Sequence, residues 1–246
     1  MRLDVTLEAK GRLTLPIHHN HLVQAAVYRL IEEPTLAEYL HSNGFVWRDR
    51  RFKLFTFSRL LGESHFEKER EIIVFSPPVR LVITSPVAFL VKELGKGLLR
   101  RGYMRIGSTW LEIAGIASGE QVVRKQEIRV QMLSPLTVYS TLDKPSGRYT
   151  YYYSPFEERF SVLVGLNLAK KYEILYGRAF SGAEPVKISA EKITPNDFKV
   201  LKYKNTVVKG WLGRFRLKGD PEMLTLALEA GLGAKNSQGF GCCEEI

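Results

Sequence analysis

The sequence predicts an α+β fold of two tandem ferredoxin-like domains, each with the element order βαββαβ. At 246 residues the chain can form one large domain or two small ones, each with its own core. Segments with the alternation of strands and segments with helical spacing follow one another in an order that occurs twice. No low-complexity linker lies between the two sets, so we expect two domains, 1–123 and 124–246, that pack together.

The first set of elements begins with a strand over residues 2–9. Asn20 is the expected N-cap of a helix that continues to about residue 32, with an apolar face made of Val23, Ala26, Val27, Leu30 and Ile31. Pro34 ends this helix and begins a shorter one through Leu40. The set continues with one further helix, PVAFLVKELGKGLLRRG, and with strand segments KLFTFSRL, EIIVFSP, VRLVITS and MRIGSTWLEIAGIAS.

The second set repeats this order. Strand patterns occur in EIRVQMLSPLTVYS and YTYYYSP, and a long helix is predicted over roughly 155–175. The strands VKISA, FKVLKY and VVKGWLGRFRL precede a last helix, for which Asp220 is the N-cap and Pro221 the first turn. Gly231 is the expected end of that helix, and FGCCEE is the expected last strand.

The charge of the chain favours a polyanionic partner. Lys and Arg number 36 against 26 Asp and Glu, which gives a net charge of +10. We expect a cytoplasmic protein, because no apolar run is long enough for a membrane span and the N-terminus lacks a signal-peptide pattern. The two cysteines are adjacent, and the cluster of His18, His19 and His21 has no nearby Cys, Asp or Glu. We therefore predict neither a metal site nor a cofactor.

The segment from Lys199 to Lys218 concentrates this positive charge. It contains seven basic residues and no acidic one, with Tyr203, Trp211 and Phe215 among them. Cations that neutralise phosphates and aromatic rings that stack on bases are typical of a nucleic-acid surface. The alternative is that these cations occupy the solvated faces of strands. The predicted RNA contacts in this segment are Lys204, Lys209 and Arg214.

Residues 231–241, GLGAKNSQGFG, form a glycine-rich segment that we call the glycine loop. A single glycine after a helix is a common cap, but that reading explains only one of four. Glycines permit close backbone approach, and a loop with free N–H groups and a cation suits an anionic backbone. A tight turn into the last strand is the alternative. The predicted RNA contacts are Gly231, Gly233, Lys235, Asn236, Ser237, Gln238, Gly239 and Gly241.

With this loop and the basic surface, the sequence resembles the CRISPR repeat-processing endoribonucleases of the RAMP superfamily. The family loop reads glycine, hydrophobic, glycine, five residues including a basic one, then glycine, hydrophobic, glycine, and GLGAKNSQGFG fits at every position. The resemblance extends along the chain through NHLVQAAVYRLI, AEYLHSNG, RFKLFTFS and LSPLTV. It implies that the protein binds CRISPR repeat RNA and cuts the precursor within each repeat.

The resemblance also implies an active site made of Tyr28, His41 and Lys53. The insertion GFVWRDRR between His41 and Lys53 departs from the family pattern and puts the position of the lysine in doubt. Histidine, with an ordinary pKa of about 6.5, suits proton transfer at the ribose 2′-OH or the 5′-oxygen, and lysine suits charge stabilisation without a metal. His21 is the rival histidine, because it shares a polar stripe on the first helix with Gln24 and Tyr28.

Two other functions remain open at this point. A non-catalytic RNA-binding subunit of a CRISPR interference complex fits the same fold and loop, whereas a metabolic enzyme with this fold fits the charge and the loop poorly. Each of the three proposed catalytic residues also has a structural alternative, as a helix-edge residue, a cation at a helix C-terminus or a phosphate contact. Partnership with other CRISPR-associated proteins and with a second copy of the chain stays open as well.

Overall fold

The computed structural model of the protein describes residues 1–145, 147–182 and 186–246. The helices are α1 Asn20–Arg29, α2 Pro34–Glu38, α3 Ala88–Arg101, α4 Glu158–Tyr176 and α5 Pro221–Ala230. The strands of the first half are β1 Arg2–Glu8, β2 Leu13–Pro16, β3 Phe45–Trp47, β4 Arg50–Phe52, β5 Thr56–Phe57, β6 Leu61–Glu67, β7 Ile72–Thr84, β8 Tyr103–Ile106 and β9 Thr109–Gly119. Those of the second half are β10 Glu127–Met132, β11 Tyr139–Lys144, β12 Gly147–Tyr152, β13 Lys187–Lys192, β14 Phe198–Tyr203, β15 Thr206–Trp211, β16 Arg214–Lys218 and β17 Cys243–Glu245.

The first half is built on an antiparallel sheet in the order β2-β7-β1-β9-β8, to which β5 and β6 add by pairing with β7. The opening strand β1 is central: Val5 lies opposite Leu81 of β7 on one side and Ile116 of β9 on the other. Alternate residues of β1 enter a core that it shares with α1 and α3. This half therefore has the strand order and crossover helices of a ferredoxin-like domain.

The second half repeats the arrangement with the sheet order β13-β16-β10-β17. Its opening strand β10 again lies between the third and last strands of the domain, β16 and β17. Helices α4 and α5 bury residues such as Val164, Leu168 and Leu226 in a second core. The predicted α+β fold of two ferredoxin-like domains is confirmed.

The predicted domain boundary between residues 123 and 124 stays a prediction. The chain just before it already contacts the second half. Gln121 Nε2 donates to Leu228 O at 3.2 Å, and the Val123 backbone N–H donates to Thr225 Oγ1 at 3.0 Å.

The two halves pack against each other, as the lack of a linker predicts. Val82 of β7 forms a small buried cluster with Leu133 and Cys242 of the second half. The Arg59 backbone N–H donates to Leu133 O at 3.1 Å across the same boundary.

Several local predictions are wrong. Asn20 is the first residue of α1 and does not cap it; its side chain instead donates to Gln238 O and Gly239 O, 3.1 and 3.2 Å away. Within KLFTFSRL only β5 forms a strand, and β6 had not been predicted. The segment VVKGWLGRFRL forms two strands, because Gly213, at φ +99°, turns the chain between β15 and β16.

Among the described residues, no helix is both long and apolar enough to cross a membrane.

Helix α3 packs tightly against the end of α1 through Gly97. A Cβ at Gly97 would lie 2.0 Å from Leu30 O, whereas a Cβ at Gly95 would lie 4.0 Å from its nearest neighbour, Leu3 Cδ2. We expect Gly97→Ala to lower the free energy of unfolding by about 1–3 kcal/mol through overpacking. We expect Gly95→Ala to raise it by about 0.5–1 kcal/mol, because alanine favours the helix. Urea denaturation of both variants measures the contrast, and equal effects would contradict the packing described.

Candidate functional site

Helix α1 carries a polar stripe that contacts two distant parts of the chain. Gln24 Nε2 donates to Ser237 O of the glycine loop at 2.6 Å, and Gln24 Oε1 accepts a hydrogen bond from the Tyr203 hydroxyl. Tyr28 lies one turn further along, with its ring centroid 6.3 Å from that of His41. One helix therefore connects the glycine loop to the predicted catalytic residues.

His41 lies in a π-helical turn, Tyr39–Asn43, that follows α2. Glu33 caps α2 by accepting from the backbone N–H groups of Thr35 and Leu36. The turn closes with the Gly44 N–H donating to Tyr39 O at 2.6 Å, and Gly44 ends it at φ +64°. Single π-turns occur frequently at functional sites because they change the direction of a side chain locally. Here the turn leaves the His41 side chain exposed beside α1.

The insertion GFVWRDRR forms the hairpin β3–β4, which returns the chain to the π-helical turn. Arg51 Nη1 donates to Ser42 O at 2.7 Å, and Lys53 Nζ donates to His41 O at 3.0 Å. The insertion therefore does not displace Lys53 from His41. The structure brings together the three residues that the resemblance implies as the active site.

A cavity of about 350 Å³ lies between α1 and the π-helical turn, and we call it the Tyr28 cavity. It is lined by Tyr28, Arg29, Ala37, Glu38, His41 and Ser42. Arg29 supplies a cation that the sequence-based prediction missed, although its position next to Tyr28 was a signal for it. His21 is not among the lining residues, and its Nδ1 is buried without a hydrogen-bond partner in the described chain.

The surroundings of Tyr28 and Lys53 shift the pKa values of the two side chains in opposite directions. Burial, with a smaller effect of Tyr203, raises the pKa of Tyr28 to about 12, so that the phenol keeps its proton at neutral pH and acts as a donor. Burial and the neighbouring Arg51 lower the pKa of Lys53. A lysine with a lowered pKa releases its proton more readily, which suits it to proton donation as well as to charge stabilisation.

The glycine loop packs tightly against the rest of the protein. All four of its glycines are buried at positive φ. A Cβ at Gly239 would lie 2.6 Å from Phe57 Cε2 of the first half, and one at Gly241 would lie 2.0 Å from Leu232 O within the loop. The close approach that these glycines permit is made here to protein atoms of the same chain. Binding of RNA by the outer side of the loop stays a prediction.

The polar side chains of the loop have different surroundings. The Asn236 amide is used within the protein: its Nδ2 donates to Leu232 O and Phe240 O at 3.0 Å, and its Oδ1 accepts from Lys171. Gln238 Oε1 is buried without a partner in the described chain. Lys235 is half-buried, with Nζ 5.5 Å from the centroid of the Tyr139 ring. Lys235, Asn236, Ser237 and Gln238 are all partly exposed residues.

The sequence-based prediction missed Lys171 of α4, which is only 1% exposed and lies beneath the glycine loop. Its Nζ lies 2.7 Å from Gly231 O, 3.3 Å from Gly233 O and 2.8 Å from Asn236 Oδ1. Burial lowers the pKa of Lys171 to about 7, while these oxygens favour the protonated form. A signal for this role was available, since Lys171 is three residues after the buried Leu168 on the apolar face of the helix.

The basic segment 199–218 is divided between two sheets. Lys204 is exposed at the turn between β14 and β15, and Lys209 is exposed on β15. Arg214 lies on β16, in the four-stranded sheet, where its Nε donates to Gln131 Oε1 at 3.2 Å. RNA binding by these three residues stays a prediction.

Stacking on bases by two of the aromatic residues in this segment is excluded by their burial. Phe215 is fully buried, because alternate residues of β16 face the core. Tyr203 is 8% exposed and is bonded to Gln24. Trp211 alone of the three is partly exposed.

The fold and site define a double ferredoxin-like protein with a C-terminal glycine loop and a cluster of histidine, tyrosine and lysine beside its first helix. In sequence, residues 14–116 match the family described as CRISPR-associated protein Cas6, N-terminal, and residues 118–245 match CRISPR associated protein Cas6, C-terminal. The chain therefore belongs to the CRISPR-associated Cas6 family.

Individual relatives match along most of their length. The CRISPR-associated endoribonuclease Cas6 1 of Methanocaldococcus jannaschii is 27% identical over 260 residues, covering 98% of this chain and 91% of the relative. The CRISPR-associated endoribonuclease Cas6 of Pyrococcus furiosus is 25% identical over 231 residues, covering 92% and 82%. A solved structure described as an RAMP protein binding different RNA substrates has a TM-score of 0.83 at 23% identity and covers 100% of this chain and 99% of that one. This last likeness supports the fold.

The burial of Lys171 predicts a pH-dependent stability. Its pKa of about 7 in the folded chain lies below the ordinary 10.5, so between these values only the unfolded chain binds the proton. Stability therefore rises with pH from about 7, by at most about 1.4 kcal/mol per unit. The free energy of unfolding of wild type minus that of Lys171→Met should therefore be greater at pH 9 than at pH 6. Urea denaturation checks this, with the exposed Lys92→Met as a control; equal differences at both pH values would contradict it.

Proposed function

We propose that the protein cuts precursor CRISPR RNA within its repeats, without a metal ion, by general acid–base catalysis. The observation that carries the proposal is the arrangement of Tyr28 and His41 at the Tyr28 cavity, with Lys53 Nζ 3.0 Å from the His41 backbone O beside it. Relatives that carry the name endoribonuclease support the reaction class.

The reaction uses a nucleophile that the RNA itself supplies. The ribose 2′-oxygen loses its proton and attacks the adjacent phosphorus, and the bond from phosphorus to the 5′-oxygen breaks. The 5′-oxygen then takes a proton. The products are a 2′,3′-cyclic phosphate on one fragment and a 5′-hydroxyl on the other. The protein must supply a proton acceptor, a proton donor and positive charge at the phosphate.

The cluster can supply each of these. His41, exposed at the cavity, transfers a proton as general base or general acid. Tyr28 keeps its proton and donates a hydrogen bond to a phosphate oxygen or to the attacking hydroxyl. Lys53 spends one of its three N–H donors on His41 O and has two left for the phosphate and the leaving oxygen. Arg29 adds a second positive charge at the cavity wall.

Cleavage is expected to proceed in EDTA, because the cluster supplies the proton transfers and the positive charge of the reaction without a metal ion. The wild-type protein is incubated with a CRISPR repeat RNA from the same genome in the presence of chelator, and both new ends are mapped. We expect a 2′,3′-cyclic phosphate and a 5′-hydroxyl. Loss of cleavage in EDTA that Mg²⁺ restores would refute metal independence.

His41→Ala is expected to reduce the single-turnover rate at saturating RNA by about 10²–10⁴-fold, because a general acid–base group typically contributes that much. The dissociation constant for uncleaved RNA should change little. His21→Ala is the matched control, since His21 lies on the same stripe of α1 as Tyr28 but not at the Tyr28 cavity.

Three other outcomes would each change the proposal. A loss of rate in His21→Ala alone would move the catalytic role to His21. Normal rates in both variants would leave Tyr28 and Lys53 as the pair to test. A wild-type protein that binds the repeat without cutting it would instead favour the non-catalytic RNA-binding function.

A further inference from the structure

A second cavity, of about 300 Å³, lies in the C-terminal half, away from the Tyr28 cavity. It opens between strand β12, the start of α4 and the hairpin β14–β15, and we call it the aromatic cavity. It is lined by the aromatic residues Tyr149, Tyr151, Phe198 and Trp211, together with Lys209 and Glu157. Cavities of about 300–1,000 Å³ are the size that holds small organic groups.

The ring arrangement leaves flat apolar surface in contact with solvent. Phe198 is 38% exposed and Tyr149 is 46% exposed. The Phe198 and Trp211 rings lie 4.9 Å apart, tilted by 46°, so that they form an open wedge rather than a closed stack. Exposed aromatic faces beside a cation are the features with which proteins bind unpaired bases of single-stranded RNA.

The polar groups of the cavity indicate which bases fit. Glu157 Oε1 accepts from the Ser154 N–H at 2.5 Å, and Oε2 accepts from the Tyr151 hydroxyl at 3.0 Å, a bond that raises the pKa of Tyr151. These two bonds fix the carboxylate and leave it with further acceptor capacity. An ionised carboxylate only accepts hydrogen bonds, so it favours a base with an exocyclic amino group over uracil.

The cavity is connected to the glycine loop by a continuous series of contacts. Lys235 Nζ lies over the ring of Tyr139, whose centroid is 5.6 Å from that of Tyr152. Tyr152 lines the cavity, and its hydroxyl donates to Val207 O at 2.8 Å on the hairpin β14–β15. Val207 is adjacent to Thr206, which pairs with Tyr203 at the turn of this hairpin, and Tyr203 is bonded to Gln24 of α1. A strand of RNA on the outer side of the loop would therefore have a basic and aromatic path to the cavity.

We propose that the aromatic cavity binds one unpaired, amino-bearing base of the RNA, with its ring against Phe198 and Trp211 and a neighbouring phosphate on Lys209. The proposal rests on the proposed function for the nature of the ligand, and it adds a site for sequence discrimination away from the point of cleavage. Adenine, cytosine and guanine each carry an amino group on the edge that pairing would otherwise occupy, whereas uracil carries none, and adenine and cytosine serve here as the amino-bearing probes.

Binding of labelled rA6, rC6 and rU6 to the full chain tests the proposal by fluorescence anisotropy. Wild type should bind rA6 and rC6 more tightly than rU6. Phe198→Ala should weaken binding of rA6 at least about 5-fold, the lower limit for loss of a stacked ring. Trp110→Ala is the matched control, since Trp110 is 55% exposed on β9 and its indole packs on Tyr103, outside the cavity. That variant should bind like wild type.

Glu157→Gln is the second variant, and it separates recognition from folding. It keeps an oxygen for the Ser154 N–H and should reduce the preference for rA6 and rC6 over rU6 without abolishing binding. Equal dissociation constants for wild type, Phe198→Ala and Glu157→Gln, with circular dichroism unchanged, would overturn the proposal. These measurements do not depend on cleavage, so a protein that binds rA6 through Phe198 and cuts no RNA would contradict the proposed function alone.

Discussion

The close approach of the glycine loop to both halves of the protein is the constraint on which the site depends. On one side, Thr56 Oγ1 donates to Phe240 O at 2.9 Å, and Gly239 lies against Phe57. On the other side, the Ala234 N–H donates to Thr137 O at 2.9 Å. These approaches leave no room for a Cβ at the four glycines. The loop therefore fixes α1 relative to the second domain, and α1 carries Tyr28 to the π-helical turn that holds His41.

Lys171 makes this arrangement electrostatically unusual. A buried ammonium is costly unless oxygen atoms surround it, and here the oxygens come from the loop that it supports. In the described part of the chain its hydrogen-bond acceptors are neutral carbonyl and amide oxygens, so the positive charge is not cancelled locally. Below about pH 7, where Lys171 is protonated in the folded chain, this cation beneath the loop adds to the attraction of its outer side for an anionic backbone. The same residue thus organises the loop and contributes to the field that an RNA strand would meet.

Much of the fold follows from patterns that the sequence contains. Alternation in β1 and helical spacing in α3 and α5 are local, strong signals, and they gave the double ferredoxin-like order. The cluster of Tyr28, His41 and Lys53 came from resemblance, and the structure brings the three together despite the inserted hairpin. Local patterns could not give the π-helical turn, because a five-residue turn is set by the glycine that ends it and by its contacts with Arg51 and Lys53.

Roles that depend on contacts distant in sequence escaped prediction for the same reason. A glycine motif indicates close approach without indicating what approaches, and here it is protein. Asn236 reads as an available polar residue until Lys171, 65 positions away, is placed beside it. The aromatic cavity likewise joins Tyr149 and Tyr151 of the hairpin β11–β12 to Phe198 and Trp211 of the hairpin β14–β15. Sequence spacing predicted that these residues would occupy strands, and only the tertiary fold brings their rings together.

The central claim is that the scissile phosphate lies in the Tyr28 cavity, and a crystal structure of His41→Ala bound to uncleaved repeat RNA tests it most directly. The account predicts the phosphate at the cleavage position within hydrogen-bond distance of the Tyr28 hydroxyl and Lys53 Nζ, with the upstream strand leading towards the glycine loop. A scissile phosphate bound beside His21, or anywhere outside the Tyr28 cavity, would contradict it.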